Sequence, residues 1–296
     1  MVGEMKYHTP VISIDVEDWP QSTWDRSLPI TERAAQNTRH LLRLLGEAGV
    51  RTTMFVLGKF AERFPDVVKE IQADGHEVAC HGHGHLEIFR QSPDEFWDDI
   101  RRSKDLLEQI TGKPVKGYRA PDFSIVRETL WALDMLAAAG FEYDSSIVPA
   151  RLPRYGIAGW PALPVRVQLS SGGSILEAPL PTFRVLGRDW PVGGGGYHRL
   201  LPGVTSRYCA RKIMMKVPFV FYCHPYEFDV CELSEIAIPI PPATRFYQGA
   251  GRRWFEQRFR DFLRSFGGQP MYDMLCLEQW QMFHIHSLDL QVAGPA

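Results

Sequence analysis

The fold of this chain is decided by the stretch GHEVACHGHGH, residues 75–85. The apolar run Val78–Cys80 predicts a short buried strand, and three histidines separated by single glycines follow it directly. His81 and His85 are four residues apart, a spacing that brings both imidazoles to one side of a helical turn or a tight loop. Neutral imidazole is the commonest metal ligand in proteins, and glycine keeps the approach to an ion open. The stretch therefore indicates either a metal site or a solvated histidine-rich loop, and a carboxylate at the same place would favour the metal.

Strands and helices alternate through the first half of the chain at the spacing of β-α units, which predicts a parallel sheet or barrel of the α/β class. The predicted strands are 11–14, 52–57, 76–80 and 115–118, and the predicted helices are 31–48, 65–74, 92–112 and 128–139. Residues 149–201 break this rhythm because proline and glycine are dense there, and we expect a long irregular excursion that forms one wall of a cleft. Regular structure is then predicted for a helix near 205–216, a strand at 219–222, a helix at 252–266 and a last strand near 271–275.

Length and composition narrow the function classes. The 296 residues carry a formal net charge of −2 with scattered Lys and Arg, so nothing predicts a nucleic-acid partner. Five cysteines without a CxxC pair argue against a disulfide framework and for a reducing compartment. The N-terminal residues lack the apolar core of a signal peptide, and no window is long and apolar enough for a transmembrane segment. We therefore expect a cytoplasmic protein with a single domain over residues 1–296; its oligomeric state is left open.

Ionisable side chains follow the predicted strands. Chemistry in a parallel β/α barrel collects at the carboxyl ends of the strands, so we expect these groups to meet. Two histidines and one carboxylate hold a divalent ion with one position free for water, a second carboxylate takes a proton, and a further histidine protonates a leaving amine. Such a set of metal ligands, base and acid is typical of a metal-dependent amidohydrolase. The candidates are Asp15, Glu17, Asp18, His81, His85, Arg119, Asp144 and His224.

Several motifs together resemble the polysaccharide deacetylases, the NodB-homology or carbohydrate esterase family 4 group. They are SIDVEDW, GHEVACHGHGH, GYRAPDFSI, GFEYDSSIVP, VGGGGYHRLLP and FYCHPYE. More narrowly, the chain resembles the branch associated with exopolysaccharide loci of the PEP-CTERM/exosortase type. The resemblance covers a core of about residues 11–227 and leaves a C-terminal extension, residues 228–296. It implies a distorted (β/α)7 barrel and hydrolysis of N-acetyl groups on an amino-sugar polymer or a lipid-linked oligosaccharide, with a divalent metal, expected to be zinc.

The metal ligands implied by the resemblance are His81, His85 and one acidic residue. The usual adjacent Asp-Asp pair of the family is replaced here by Asp15-Val16-Glu17-Asp18. Strand alternation puts Glu17 on the face of Asp15, whereas Asp18 has the shorter side chain typical of the family. We favour Asp18 and keep Glu17 open. His83 is then an extra histidine outside the ligand set.

The remaining roles also follow from the resemblance. Asp15 matches the catalytic base, Arg119 the arginine that orients it, and His224 the general acid. Asp144 is a candidate partner of His224. Tyr222 stands where the family has a leucine, so the wall of the acetyl pocket is expected to differ.

Three other interpretations compete with the deacetylase. An allantoinase-like cyclic amide hydrolase uses the same scaffold, but the intact acid/base and histidine set argues against it. A non-catalytic carbohydrate-binding relative would bind sugar without releasing acetate. A structural zinc site is usually closed by four ligands and rich in cysteine, whereas only Cys80 lies near these histidines.

Overall fold

The structure, a computed structural model, describes residues 6–286 and 288. Its strands are β1 (Val11–Val16), β2 (Thr53–Val56), β3 (Glu77–Cys80), β4 (Gly117–Tyr118), β5 (Tyr143–Asp144), β6 (Val165–Gln168), β7 (Ser174–Glu177), β8 (Thr182–Val185), β9 (Arg188–Pro191), β10 (Val220–Cys223) and β11 (Met282–His284). Its helices are α1 (Glu32–Ala48), α2 (Gly58–Arg63), α3 (Pro65–Ala73), α4 (Pro93–Thr111), α5 (Ala132–Ala138), α6 (Gly195–Leu200), α7 (Gly203–Met214), α8 (Glu232–Glu235), α9 (Pro242–Gly249), α10 (Arg252–Phe266) and α11 (Met271–Leu275).

One sheet organises the molecule, in the order β10-β1-β2-β3-β4-β5-β7-β6-β11. The strands from β10 to β7 are mutually parallel, β6 is antiparallel to β7, and β8 and β9 pair with each other in a separate hairpin. The predicted α/β class is confirmed, and seven parallel strands are the number expected of a (β/α)7 barrel. Within the described residues no β-ladder joins β7 to β10. The ring of strands is therefore open between these two strands, and in this sense the barrel is distorted.

The helices form where the sequence supplies both an apolar stripe and end signals. In α1 the buried side chains include Leu41 and Leu45, and the helix ends at Gly49, whose left-handed φ of 64° suits glycine. In α4 the Ser92 hydroxyl and the Glu95 carboxylate cap each other's backbone N–H groups, as the spacing predicts. These helices cover the sheet and bury its apolar side chains, so the ends of the strands are held in a fixed relation.

Two sequence predictions are wrong in detail. The irregular excursion predicted for residues 149–201 is limited to residues 149–164, because residues 165–201 contain β6 to β9 and α6, and both β6 and β7 join the main sheet. The alternation of buried and half-buried residues in β6 and β7 was hidden among prolines and glycines. Residues 271–275 form α11 rather than a strand. Pro270 precedes this helix, and Met271, Met274 and Leu275 are buried at helical spacing.

None of the helices within residues 6–286 and 288 is both long and apolar enough to cross a membrane. The single-domain organisation and the cytoplasmic location stay predictions.

Candidate active site and metal centre

The candidate residues lie at the carboxyl ends of neighbouring parallel strands. Asp15 is the second-last residue of β1, Arg119 directly follows β4, and His224 directly follows β10. Because β1 pairs with both β10 and β2, and β2 with β3, the sheet delivers these side chains and the histidine loop to one edge. Motifs that are far apart in the sequence therefore meet in a single cluster.

Glu17 and two histidines form the centre of this cluster. Glu17 Oε1 lies 3.0 Å from His81 Nε2 and 3.1 Å from His85 Nε2, and all three side chains are buried. Gly82, with φ of 73°, makes the turn that follows His81, and a Cβ at this position would press on the Asp99 carboxylate. His83 points elsewhere: its Nε2 lies 3.7 Å from Glu62. The structure therefore brings together Glu17, His81 and His85 of the predicted metal ligands.

The donor chemistry of this cluster fits a divalent cation. His81 Nδ1 lies 2.8 Å from the Arg119 carbonyl oxygen, so the neutral ring donates its Nδ1–H there and turns the lone pair of Nε2 toward Glu17. A lone pair that faces a carboxylate needs a proton or a cation between them. A backbone carbonyl on the far nitrogen is also the usual arrangement around metal-bound histidines. His85 Nδ1 is buried without a hydrogen-bond partner among the described residues.

Asp18 does not face the histidines. Its Oδ2 accepts a hydrogen bond from the Thr31 backbone N–H at 2.5 Å, and its Oδ1 accepts one from the Thr31 hydroxyl at 3.1 Å. Thr31 is the N-cap of α1, so Asp18 ties the β1 edge to the start of that helix. Burial raises the pKa of Asp18 to about 6. This placement speaks against our preference for Asp18 as the metal carboxylate, because the chain turns after Glu17 and carries Asp18 toward α1.

Asp15 is held by Arg119. Arg119 is fully buried and its Nη1 lies 2.8 Å from Asp15 Oδ1 and 2.9 Å from the Ser13 hydroxyl. The same guanidinium donates to the carbonyl oxygen and the hydroxyl of Ser145. Its cationic carbon lies 4.1 Å from the centre of the Phe55 ring, which fixes the plane of the group. Asp15 is thus presented in one orientation, with Oδ2 left toward the cavity.

His224 has a partner that the sequence analysis missed. Its Nδ1 lies 3.2 Å from Glu227 Oε2, and Glu227 Oε1 in turn accepts a hydrogen bond from Arg199 Nε at 2.7 Å. The predicted partner Asp144 is instead bonded to the backbone N–H and the hydroxyl of Ser146. The missed signal is the spacing of HPYE, where a glutamate three residues after His224 forms a capping box with it.

The glycine run of residues 193–196 explains how Arg199 reaches Glu227. A Cβ on Gly193 would strike the Val220 carbonyl oxygen, and a Cβ on Gly195 would strike the Glu227 carboxylate. Only glycine lets this segment pack so closely on β10 and its following turn. The second half of the chain therefore contributes to the support of His224.

A cavity of about 230 Å³ opens over these groups. Asp15, Glu17, His81, His85 and His224 line it together with Tyr155, Tyr222 and Tyr226, so part of the wall comes from the predicted excursion. Tyr226 stacks on the His224 imidazole with ring centres 4.7 Å apart. His85, Asp122 and Phe123 also line the cavity, and all three have left-handed φ angles between 52° and 60°. Such strain in residues other than glycine is typical of functional sites.

The charges in this cavity depend on one another. Burial alone raises the pKa of Glu17, but the neighbouring His85 and His224 imidazoles hold it well below its usual value. Burial lowers the pKa of His224, and the carboxylates of Glu17 and Glu227 overcome this effect and raise it to about 9. Burial also raises the pKa of Glu227. The hydrogen bond and charge of His224, together with the charge of Arg199, overcome this effect and bring that pKa below its usual value. The site thus pairs anionic carboxylates with a protonated His224.

Comparison with known families divides the chain near residue 144. Residues 8–143 match the family Polysaccharide deacetylase, and residues 145–275 match Domain of unknown function (DUF3473). Peptidoglycan deacetylase-like protein FGM2 of Gibberella zeae is 31% identical over 174 residues, which cover 56% of this chain and 50% of that protein. Peptidoglycan-N-acetylglucosamine deacetylase of Bacillus cereus is 32% identical over 98 residues, 33% of this chain and 36% of that protein. The chain thus spans half or less of the length of these curated relatives.

Solved structures agree with the fold. A crystal structure assigned to the polysaccharide deacetylases, from Mycobacterium smegmatis, has a TM-score of 0.55 at 20% identity and covers 99% of this chain and 97% of its own. Puue allantoinase has the same TM-score of 0.55 at 13% identity, with 97% and 91% covered. At these identities the two structures establish the fold alone. Neither they nor the sequence relatives test the narrower PEP-CTERM/exosortase branch.

Proposed function

We propose that this protein is a metal-dependent deacetylase of N-acetylated amino-sugar chains, a function supported by the family match over residues 8–143 and by the sequence relatives. The observation that carries the proposal is the convergence of Glu17, His81 and His85 with Asp15 and His224 on one small cavity. The activities named for these two relatives concern peptidoglycan, and the chain matches only part of those proteins.

The proposed metal ligands are Glu17, His81 and His85, and zinc is the ion that such a mixed nitrogen and oxygen set favours. When bound, a divalent ion polarises a carbonyl oxygen and lowers the pKa of water toward neutrality. These three side chains would hold the ion, and fewer than four protein ligands would leave room on it for water or substrate.

Asp15 acts as the general base. Its free Oδ2 faces the cavity at 4.0 Å from His224 Nε2, while Oδ1 stays on Arg119. Asp15 takes a proton as the water oxygen forms its bond to the acetamide carbon. Arg119 keeps the carboxylate from rotating away, so the proton acceptor is positioned before the substrate arrives.

His224 acts as the general acid. The C–N bond breaks as His224 Nε2 gives its proton to the departing nitrogen, and the products are acetate and a free amino sugar. Glu227 holds Nδ1, which fixes the ring with Nε2 toward the cavity and favours the protonated form needed for this step. The aromatic face of Tyr226 covers the other side of the imidazole.

For the substrate we propose an N-acetylated polysaccharide or its lipid-linked precursor, bound in the cavity by its acetamido sugar. Tyr155 and Tyr222 give the cavity flat aromatic walls suited to a sugar ring. The test is acetate release from N-acetylated oligosaccharides of different composition, with hydrolytic ring opening of allantoin as the competing reaction. Acetate release supports the proposal. Allantoin turnover alone would assign the allantoinase-like reaction, and sugar binding without acetate would assign a non-catalytic carbohydrate-binding protein.

A further inference from the structure

One face of the molecule combines exposed aromatic and aliphatic side chains with basic ones. Leu200 at the end of α6 is exposed, as are Val204 and Tyr208 of α7, Tyr208 to 57%. On α10 the exposed pair is Arg253 and Trp254. We call this surface, with Arg211 and Lys212 of α7, the α7–α10 face. Large apolar side chains gathered at one place usually mark a binding surface.

The parts of the α7–α10 face are contiguous. The Arg258 guanidinium lies 5.7 Å from the Trp254 ring centre and donates to the carbonyl oxygens of His198 and Arg199, directly before Leu200. A Cβ on Gly203 would lie 3.7 Å from the Arg258 side chain, so the start of α7 borders the same arginine. Arg258 thus connects the aromatic side chain of α10 to the exposed residues of α7.

The charge of this region is one-sided. Residues 190–226 contain no Asp or Glu and five Lys or Arg, and residues 236–255 also contain no Asp or Glu. The nearest carboxylate of α10, Glu256, pairs with His40 and Arg260. Arg199 and Arg252 are buried in ion pairs with Glu227 and Glu232, whereas Arg211, Lys212 and Arg253 remain exposed. The free charge at the α7–α10 face is therefore positive.

The neighbouring helix α9 also exposes aromatic side chains, and it reaches the edge of the proposed active site. In α9 Phe246 is 81% exposed and Tyr247 is 64% exposed, and none of the residues of this helix is buried. Gln248, the next residue, lines the catalytic cavity, and its carbonyl oxygen accepts a hydrogen bond from Arg199. Exposed aromatics therefore extend from α10 toward the mouth of the cavity.

We propose that the α7–α10 face, together with α9, docks on an anionic lipid surface. Basic side chains attract the lipid headgroups, and Trp, Tyr and Phe enter the interfacial region between headgroups and acyl chains. A soluble polyanion satisfies only the basic residues and leaves the aliphatic and aromatic side chains in water, so lipid is the better match. Docking in this way sets the cavity mouth close to the membrane. Lipid binding does not depend on the proposed reaction.

The experiment is co-sedimentation of the whole chain with vesicles of phosphatidylcholine alone and of phosphatidylcholine with phosphatidylglycerol. We expect binding to the anionic vesicles that weakens as salt is added. The double variant R211E/K212E should bind at least about tenfold more weakly, since two attractive charges become repulsive. The variant Y208S/W254S should lose binding while its charge is unchanged. The matched control K69E/K113E changes exposed lysines outside this face and should bind as the wild type does.

Circular dichroism and the thermal unfolding of each variant separate a folding defect from a docking defect without relying on the proposed reaction, and none of these residues lines the cavity. If K69E/K113E lost as much vesicle binding as R211E/K212E, the proposal would be overturned. Binding would then depend on the net charge of the protein and not on the α7–α10 face. The proposal would also be overturned if the protein did not bind vesicles and instead sedimented as a dimer that R211E/K212E or Y208S/W254S abolishes. The face would then bind a second copy of this chain. Binding to an acidic polysaccharide without binding to vesicles would also overturn the proposal.

Discussion

Glu227 Oε2 lies 3.2 Å from His224 Nδ1, and this half-buried contact assigns the partner of the proposed general acid. The general acid must be protonated, so activity is expected to fall as pH rises through the pKa of His224. Glu227 contributes to raising that pKa, after the opposing effect of burial and together with Glu17. Glu227→Gln should therefore move the alkaline limb of the kcat/KM profile to lower pH.

The control for this change is Asp144→Asn, at the partner predicted from sequence. Asp144 makes its hydrogen bonds to Ser146 and Glu177 rather than to His224, so its replacement should leave the position of the alkaline limb unchanged even if the protein becomes less stable. A limb that moves with Asp144→Asn and stays in place with Glu227→Gln would refute the assignment.

Glu17 and Asp18 are adjacent in sequence and are expected to differ in function. Glu17→Gln removes the carboxylate that lies between His81 and His85, and should abolish stoichiometric zinc binding in metal analysis and calorimetry. Asp18→Asn should retain the metal and instead destabilise the protein by about 1–2 kcal/mol, because it weakens two hydrogen bonds to the N-cap of α1. Retention of zinc by Glu17→Gln with loss in Asp18→Asn would restore Asp18 as the ligand.

Asp15 and His224 are expected to affect turnover without removing the metal. Asp15→Asn and His224→Gln should each lower kcat by about 10²- to 10⁴-fold, the usual contribution of a general base or acid. His83→Gln is the matched control, since His83 stands in the same loop but faces Glu62. Measurement of kcat beside metal content checks this prediction. Wild-type turnover in Asp15→Asn would remove the base from the mechanism.

His198 is expected to make the fold sensitive to acid. Its ring lies among Phe221 and Phe262, and burial lowers its pKa from 6.5 to about 4. Between these values the unfolded chain binds a proton that the folded chain does not, so stability falls as pH drops from about 6.5 to about 4. The resulting loss in the free energy of unfolding is at most about 3 kcal/mol.

His198→Phe should remove this part of the pH dependence and keep the aromatic packing. Urea unfolding at several pH values measures it, with His8→Gln as the control at an exposed histidine. An unfolding free energy that falls between pH 6.5 and 4 as steeply in His198→Phe as in the wild type would contradict the prediction.

The sequence predicted those features that depend on local pattern. The capping box at Ser92 and the stop at Gly49 placed α4 and α1, and alternation of β and α segments predicted the parallel sheet. The same logic placed Asp15, His81 and His224 at one edge, because carboxyl ends of parallel strands meet there. What these residues do chemically remains a proposal.

Features set by tertiary contacts were harder to predict. Thr31, 13 residues after Asp18, draws that carboxylate away from the histidines, and no local pattern reports such a contact. Arg199 reaches Glu227 only because glycines 193–195 permit close packing, which depends on the position of β10. The helix α11 was mistaken for a strand because five residues are too few to separate the two periods.

The central claim, that the cluster around Glu17 holds a cation needed for deacetylation, is tested most directly by acetate release before and after metal removal. The wild-type protein is assayed on N-acetylated oligosaccharides as purified, after treatment with a chelator, and after zinc is returned. We predict that chelation abolishes acetate release and that zinc restores it. Undiminished acetate release from protein shown by metal analysis to be free of metal would contradict the account.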